Sequence, residues 1–570
     1  MNQVILSPKI SQDDSLVSSA SLELLRPYLT DNERSLVFFV GAGASIAGNT
    51  GMPSTPTLLY NLLQQALFLS GKFTIEEDDL TAPLKGISSR IGFEITLNDF
   101  WQICRKATAL LYQSFANLEK SCTSNRVHTF LAYWLSTGGT VVTTNYDRLI
   151  EREWAKTGSS IQSTYREKGL NSFEGWQNDL TRGGTLHKIH GSLDDPDSCL
   201  GALEHVGTQL TGNRAQLLEE IVCTRPLCFV GWRGVDPDIP PLLYSMLDRR
   251  SPSLPIFWIH YEGYPSGYVS LQDTIDECSN LIKPYASDHP ILTDADRAFG
   301  EFLNWVGIPS MPNPGRPVKS FDFIEAISNC SKSGLVRMVG ITLRRSGKYI
   351  ESERTIKVAL QLAEIPGERN AALQEISLLQ QQITGRETSQ ARKSLEQARE
   401  VLREQPDLHL KLNNDFGLLS MTIITLKSRP WLLLRVPGLF RRYQQDIETL
   451  RRDTTDKESV ALHKSLLQLY SGRLRFKFFG WLGVIIRPLA DWILHPFEIS
   501  HSTIDRAKDI HLHSHIDVLA YRAVALAYFG RCLKAQEDIP EIYRLIAILN
   551  DDARTRHWAK QAQEIQRNCG

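Results

Sequence analysis

Four short stretches hold residue types that could work on a phosphate or a sugar. Gly41-Ala42-Gly43-Ala44-Ser45 follows the apolar run Leu36–Val40. Its glycines remove Cβ atoms where the chain must turn and where a phosphate could approach the backbone. A helix starting near Ser45 would add free N–H groups as an anion site, although the same residues also suit an ordinary strand-to-helix turn. Thr143-Thr144-Asn145-Tyr146-Asp147 offers an amide and a carboxylate, or else an Asx-type cap for a helix from Arg148. Leu186-His187-Lys188-Ile189-His190-Gly191-Ser192 places Lys188 and His190 on one strand face. A histidine there can serve as a general base near neutral pH, or be structural. In Leu227–Asp238, Gly231 could admit a phosphate or ribose, and Asp236 and Asp238 could face a ligand or cap a helix.

These stretches need a frame that brings them to one edge. Leu36–Val40, Thr140–Thr144, Thr185–His190, Leu227–Gly231 and Pro255–His260 read as short buried strands alternating with helices. That alternation implies a Rossmann-like, doubly wound parallel sheet, with ligands at the carboxyl ends of its strands. The reading gives a leader over 1–30 with a helix near Leu22–Leu25, an α/β domain over 31–306 and a proline-rich linker over 307–319. Residues 320–570 read as all-α. Ser346–Leu362 and Thr388–Leu402 look alike, with apolar residues at helical spacing and small residues between them. This is the pattern of degenerate tetratricopeptide-like repeats or of an irregular bundle.

In this order, Gly-Ala-Gly-x-Ser, Thr-x-Asn-x-Asp, His-Gly and apolar-Gly-x-x-x-x-Asp resemble the SIR2-like (sirtuin) fold. The chain is most similar to the prokaryotic SIR2-like NADases of antiphage defence, over about residues 25–305. The resemblance implies that Gly41, Ala42, Gly43 and Ser45 cradle the NAD+ pyrophosphate. It implies that Asn145 orients the nicotinamide ribose and the attacking water, that Asp147 holds the carboxamide, that His190 is the base or ribose partner, and that Gly231 lines the adenosine-side pocket, with Asp236 as a further cofactor-binding residue. The implied activity is cleavage of NAD+ to nicotinamide and ADP-ribose, acting by abortive infection. The alternatives are an NAD-dependent deacylase or ADP-ribosyltransferase, and a non-enzymatic NAD or ADP-ribose-binding scaffold. The chain departs from deacylating sirtuins at Gly51–Pro56, where they carry Pro-Asp-Phe-Arg, and in lacking a paired Cys-x-x-Cys module. The first departure bears on nicotinamide shielding and acyl-lysine chemistry, and the second implies no zinc.

Composition sets the wider bounds. Hydrophobic residues make up 42% and charged residues 22%, as in an ordinary globular protein. The nine cysteines include no Cys-x-x-Cys pair and are odd in number, which suits reduced thiols in a cytoplasm. The N-terminus shows no signal-peptide pattern. Net charge is −1, yet residues 321–570 carry 37 Lys+Arg against 29 Asp+Glu, and residues 1–320 carry 26 against 35. Such asymmetry points to different partners for each half, or to docking of the halves on one another or on sister chains. Basic, aromatic-rich segments at Arg429–Tyr443 and Phe476–Phe497 read as buried helices or a homo-oligomer interface, with membrane and nucleic-acid contact as alternatives. His511, His513 and His515 suggest metal ligation only if they lie on a strand, whereas their context reads as helix. The chain has no P-loop motif, so a partner ATPase, like a phage-protein trigger, would be a separate protein.

Overall fold

The computed structural model describes residues 22–31, 34–73, 108–158, 162–164, 184–195, 198–199, 212–232, 254–260, 291–309, 323–384, 389–402, 407–425, 435–453, 457–485, 487–504, 512–549 and 553–569, with a few isolated positions between them. The chain divides into two compact units. One comprises Met1–Leu58, Ala109–Gly201 and Gln209–Asp322; the other comprises Leu59–Thr108, Ala202–Thr208 and Phe323–Gly570. The sequence reading places one boundary at 307–319, of which residues 310–319 lie outside the described residues.

Among the described residues the first unit has seven parallel strands: β1 (Val37–Val40), β2 (Thr140–Thr143), β3 (Gln162–Thr164), β4 (Thr185–Lys188), β5 (Leu227–Val230), β6 (Ile256–His260) and β7 (Ile291–Leu292). Their order is β3-β4-β2-β1-β5-β6-β7, so the winding direction reverses at β1 and β5. The five strands expected from the sequence are all present. β3 and β7, at the two edges, are too short to show a strand pattern.

Buried on both faces, β1 shows why an unbroken apolar run makes a parallel strand. Val37 and Phe39 pack with Leu217, Leu218, Ile221 and Val222 of the helix Gly212–Thr224. Phe38 and Val40 face the other layer, with Phe130 and Trp134 of the helix Arg126–Ser136 and Phe299 of the helix Ala295–Trp305. The Phe38 ring meets Phe130 and Trp134 edge-on, and burying a side chain of this size contributes about 2–3 kcal/mol. At the N-terminus the helix runs Arg26–Thr30, and Leu22, Leu25 and Leu29 join this same core.

The second unit is helical. Its helices run Lys332–Arg345, Tyr349–Leu362, Pro366–Thr384, Ser389–Val401 and onward to Ala553–Cys569, each packed on the next. Ser352 Oγ donates to Gly340 O, Ser333 Oγ to Ala359 O, and Asn370 Nδ2 to Ala398 O, so small and amide side chains stitch neighbouring helices together. Earlier residues also belong here. Asp99 accepts from Arg345 Nη1 at 2.6 Å and Nη2 at 3.1 Å, and Gln65 Oε1 accepts from Phe323 N. No helix among the described residues is long and apolar enough to cross a membrane. Of the segments singled out there, 429–434 lie outside the described residues, as do the side chains of 477–489.

The expectation of reduced, unpaired thiols is corrected. Cys532 and Cys569 form a disulfide with a Cα separation of 5.1 Å. They stand 37 residues apart, too far for a short cysteine motif to reveal. The final helix folds back along the helices Leu512–Tyr528 and Cys532–Glu537 and brings its last cysteine within disulfide range. Cys330 is disulfide-bonded as well, whereas Cys122, Cys199, Cys223 and Cys228 are free. The loop closed by Cys532–Cys569 is worth about 3–4 kcal/mol by chain entropy. Cys569→Ser is therefore expected to lower the unfolding free energy of the helical unit by about that much, as read by chemical denaturation. Equal stability would mean that the helix is held by packing alone.

Candidate active site

The carboxyl ends of β1, β2, β4 and β5 converge on two glycine turns and two short loops. Gly41 N–H donates to Val230 O at 2.9 Å, and Gly43 N–H to Gly231 O at 2.8 Å. The turn after β1 thus lies directly on the turn after β5. A Cβ on Gly41 would stand 2.6 Å from Trp232 Cα, and one on Gly43 would stand 2.8 Å from Gly231 Cα. These glycines are required because two main chains touch. Ala42, the first residue of the short helix Ala42–Ile46, is the exposed member of the turn. Asp236 and its neighbours 233–238 lie outside the described residues.

Asn145 sits just past β2 and is 8% exposed. Its Nδ2 donates to Gly41 O at 3.1 Å and to Ser45 Oγ at 3.0 Å. A main-chain carbonyl can only accept, so the amide orientation is fixed by chemistry. Asn145 Oδ1 is buried and has no hydrogen-bond partner among the described residues. Such a group invites an explanation, because leaving it unsatisfied carries a desolvation cost. Asp147 does two things at once. Oδ1 accepts from Leu149 N at 3.1 Å, an Asx turn leading into the helix Leu149–Ala155, and Oδ2 accepts from Ser45 Oγ at 2.7 Å. Ser45 is therefore a buried hub between the glycine turn and the β2 loop.

A residue that sequence reasoning missed completes the hub. His128 Nε2 lies 3.4 Å from Ser45 Oγ. Asn125 caps the helix Arg126–Ser136: its Oδ1 accepts from His128 N at 3.0 Å, while His128 Nδ1 accepts from Asn125 N at 3.1 Å. Nδ1 is thus an acceptor, and the proton of the neutral ring stands on Nε2, facing Ser45. Asn125 Nδ2 also donates to Ala44 O and Ala47 O, both at 2.7 Å, which fastens the turn from beneath. The signal was present in the sequence as Asn-x-x-His opening an apolar helical run, a capping box with histidine in the place of glutamate or glutamine.

On the far side, Lys188 ends β4 and His190 lies buried in the turn beyond it. Lys188 Nζ donates to Glu151 Oε1 at 2.9 Å, to Tyr146 O at 3.2 Å and to Asp147 O. Among the sequence-derived candidates, Ser45, Asn145 and Asp147 are joined by hydrogen bonds, Gly41 bonds to Asn145, and Gly231 bonds to Gly43. His513 and His515 fall on the helix Leu512–Tyr528, and His511 lies outside the described residues. No group of metal-ligating side chains occurs among the described residues.

Two buried histidines make this unit sensitive to acid. Burial lowers His128 to about 4, against a smaller upward pull from Asp147, and burial lowers His187 to about 3. The unfolded chain binds protons near pH 6.5 that the folded chain refuses, so stability falls as pH falls below about 6.5. At pH 5 the loss is about 2 kcal/mol per ring, relative to pH 7. Burial raises Glu119 and Asp296, which pull the opposite way only as carboxylates begin to protonate. Denaturation at pH 7 and pH 5 should show the loss, and equal stability at both would mean that the rings are solvated.

The chain's similarity to known proteins bears on this geometry. A family model for the SIR2-like domain matches residues 139–276. That span contains Asn145, Asp147, Lys188, His190 and Gly231, with the first glycine turn and His128 ahead of it. No curated protein matches the chain.

Proposed function

We propose, starting from a SIR2-like match over residues 139–276 that takes in the β2 loop, the β4 turn and Gly231, that the chain is an NAD+ glycohydrolase. The reaction breaks the bond between nicotinamide and ribose, and water supplies the new hydroxyl on the ribose carbon, giving nicotinamide and ADP-ribose. The observation that carries the reading is Asn145 Oδ1, an acceptor held in place by two committed N–H groups and itself unpartnered among the described residues. Such an acceptor suits the hydrogen of a water or a ribose hydroxyl. Fixed dipoles of this kind stabilise charge that develops in a transition state without reorganising.

The remaining roles follow from the resemblance and are part of the proposal. Asp147 takes the nicotinamide carboxamide, His190 acts as base or ribose partner, and Gly231 lines the adenosine side. The pyrophosphate approaches at Ala42, since the Gly41 and Gly43 amides are already bonded to Val230 and Gly231. Asp236, the last residue of the fourth motif, is a further NAD+-binding residue of the proposal. The role is NAD+ depletion in antiphage defence, in the cytoplasm. The helical unit is a tetratricopeptide-like sensor or homo-oligomerisation module that holds the enzyme off until a phage protein or a partner ATPase releases it.

Purified protein mixed with NAD+, with and without phage lysate, tests the proposal by chromatography of nicotinamide and ADP-ribose. Both products are expected in equal amounts once the trigger is present. Binding of NAD+ with no cleavage under any lysate would point instead to the ligand-binding scaffold.

A further inference from the structure

We infer that Lys188 is a positioning residue that clips the β2 loop, carrying Asn145 and Asp147, to the turn after β4, carrying His190. The ammonium is 1% exposed and ends β4 two residues before His190. All three of its donors are engaged. One goes to Glu151 Oε1, and two go to the main-chain carbonyls of Tyr146 and Asp147, the residues that follow Asn145. Tyr146 O accepts a second bond, from Leu193 N at 3.0 Å, so one carbonyl ties the β2 loop to both sides of the His190 turn. Ile189 N donates to Thr143 O at 3.0 Å and continues the same seam.

A buried ion pair adds little net stability, because desolvation offsets the attraction. What this pair supplies is direction. The carboxylate of Glu151, held on the helix Leu149–Ala155, sets the ammonium, and the ammonium sets two carbonyls of the loop. Asn145 stands on that loop, so the loop places its amide together with the bonds to Gly41 O and Ser45 Oγ. Small misplacements at a reacting centre carry large rate costs.

The test removes both charges together, so that neither is left buried alone. Lys188→Met with Glu151→Leu is expected to melt within a few degrees of the parent. Its kcat for NAD+ should fall about tenfold or more while KM moves less than about threefold. A folded double variant with the parent's kcat would overturn the inference, since a merely structural pair predicts that outcome. Should that variant not fold, Lys188→Gln with Glu151→Gln is read the same way, because glutamine is one atom shorter and cannot span both carbonyls. The activity measurement rests on the NAD+ reading, so hydrogen exchange provides a second measurement that does not. Peptides covering 144–149 and 189–195 should exchange faster in the folded double variant than in the parent. Parent protein that never cleaves NAD+, together with faster exchange in the variant, would sink the glycohydrolase and keep the clip. Unchanged exchange sinks the clip.

Discussion

On the proposed glycohydrolase reaction, Asn145→Ala is expected to lower the kcat of NAD+ cleavage by about 10²–10³-fold, the usual cost of removing one fixed dipole from a reacting centre. Substrate binding should change little by comparison, because the amide is asked to act on the developing charge and on water. The substitution also removes two buried donors, so Gly41 O and Ser45 Oγ each lose a bond. That loss should cost about 1–3 kcal/mol of stability. Rates are therefore compared well below the melting transition and per folded molecule. A variant that keeps its fold and cleaves NAD+ at the parent's rate would leave Asn145 as a loop fastener, and the site would have to be sought elsewhere.

Gly231→Ala is expected to be strongly disruptive to this unit. Gly231 has φ +60°, where an L side chain already strains the backbone by about 1–2 kcal/mol. The new Cβ would stand 2.2 Å from Ala44 N and 2.6 Å from Gly43 C. Both are main-chain atoms, so no flexible side chain can yield. The two turns must separate, which breaks the Gly43 N–H to Gly231 O bond and pulls Ser45 away from Asn145. A loss of more than about 4 kcal/mol is expected, seen as little soluble protein or a low unfolding free energy. Gly158→Ala is the control: its φ is +73° and nothing lies within 4 Å of an added Cβ, so only backbone strain applies. Equal behaviour of the two variants would mean that the turns do not press on one another.

The central sheet was legible because buried parallel strands announce themselves as apolar runs that stop at glycine. Asn145 and Asp147 were legible through their position just beyond such a run. The reason for the first glycines was only half legible. A phosphate and a second main chain make the same demand on a turn, and the sequence does not distinguish them. His128 went unread, and Lys188 was placed beside His190 without a role of its own, because each acquires its meaning from residues far along the chain. His128 lies 83 positions from Ser45, and Lys188 lies 37 from Glu151. The partners of Lys188, Glu151 and two carbonyls, cannot be told from its place on the strand. The disulfide was hidden for the same reason. Likewise, nothing in the helix Thr55–Ser70 says that the chain is about to leave one unit for another.

That excursion constrains how such a protein can be assembled or taken apart by recombination. The chain passes between its units five times, at 58/59, 108/109, 201/202, 208/209 and 322/323. A gene truncated at the proline-rich stretch would encode a front half still carrying Gln65 and Asp99 without the Phe323 and Arg345 they bind. Its back half would have lost the first layer of its own unit. A single crossover at that point would therefore graft a mismatched helical array, not exchange one module for another. Any successful transplant must carry residues 59–108, and the short stretch 202–208, along with the rear of the gene, so these segments are expected to travel together as one inherited block.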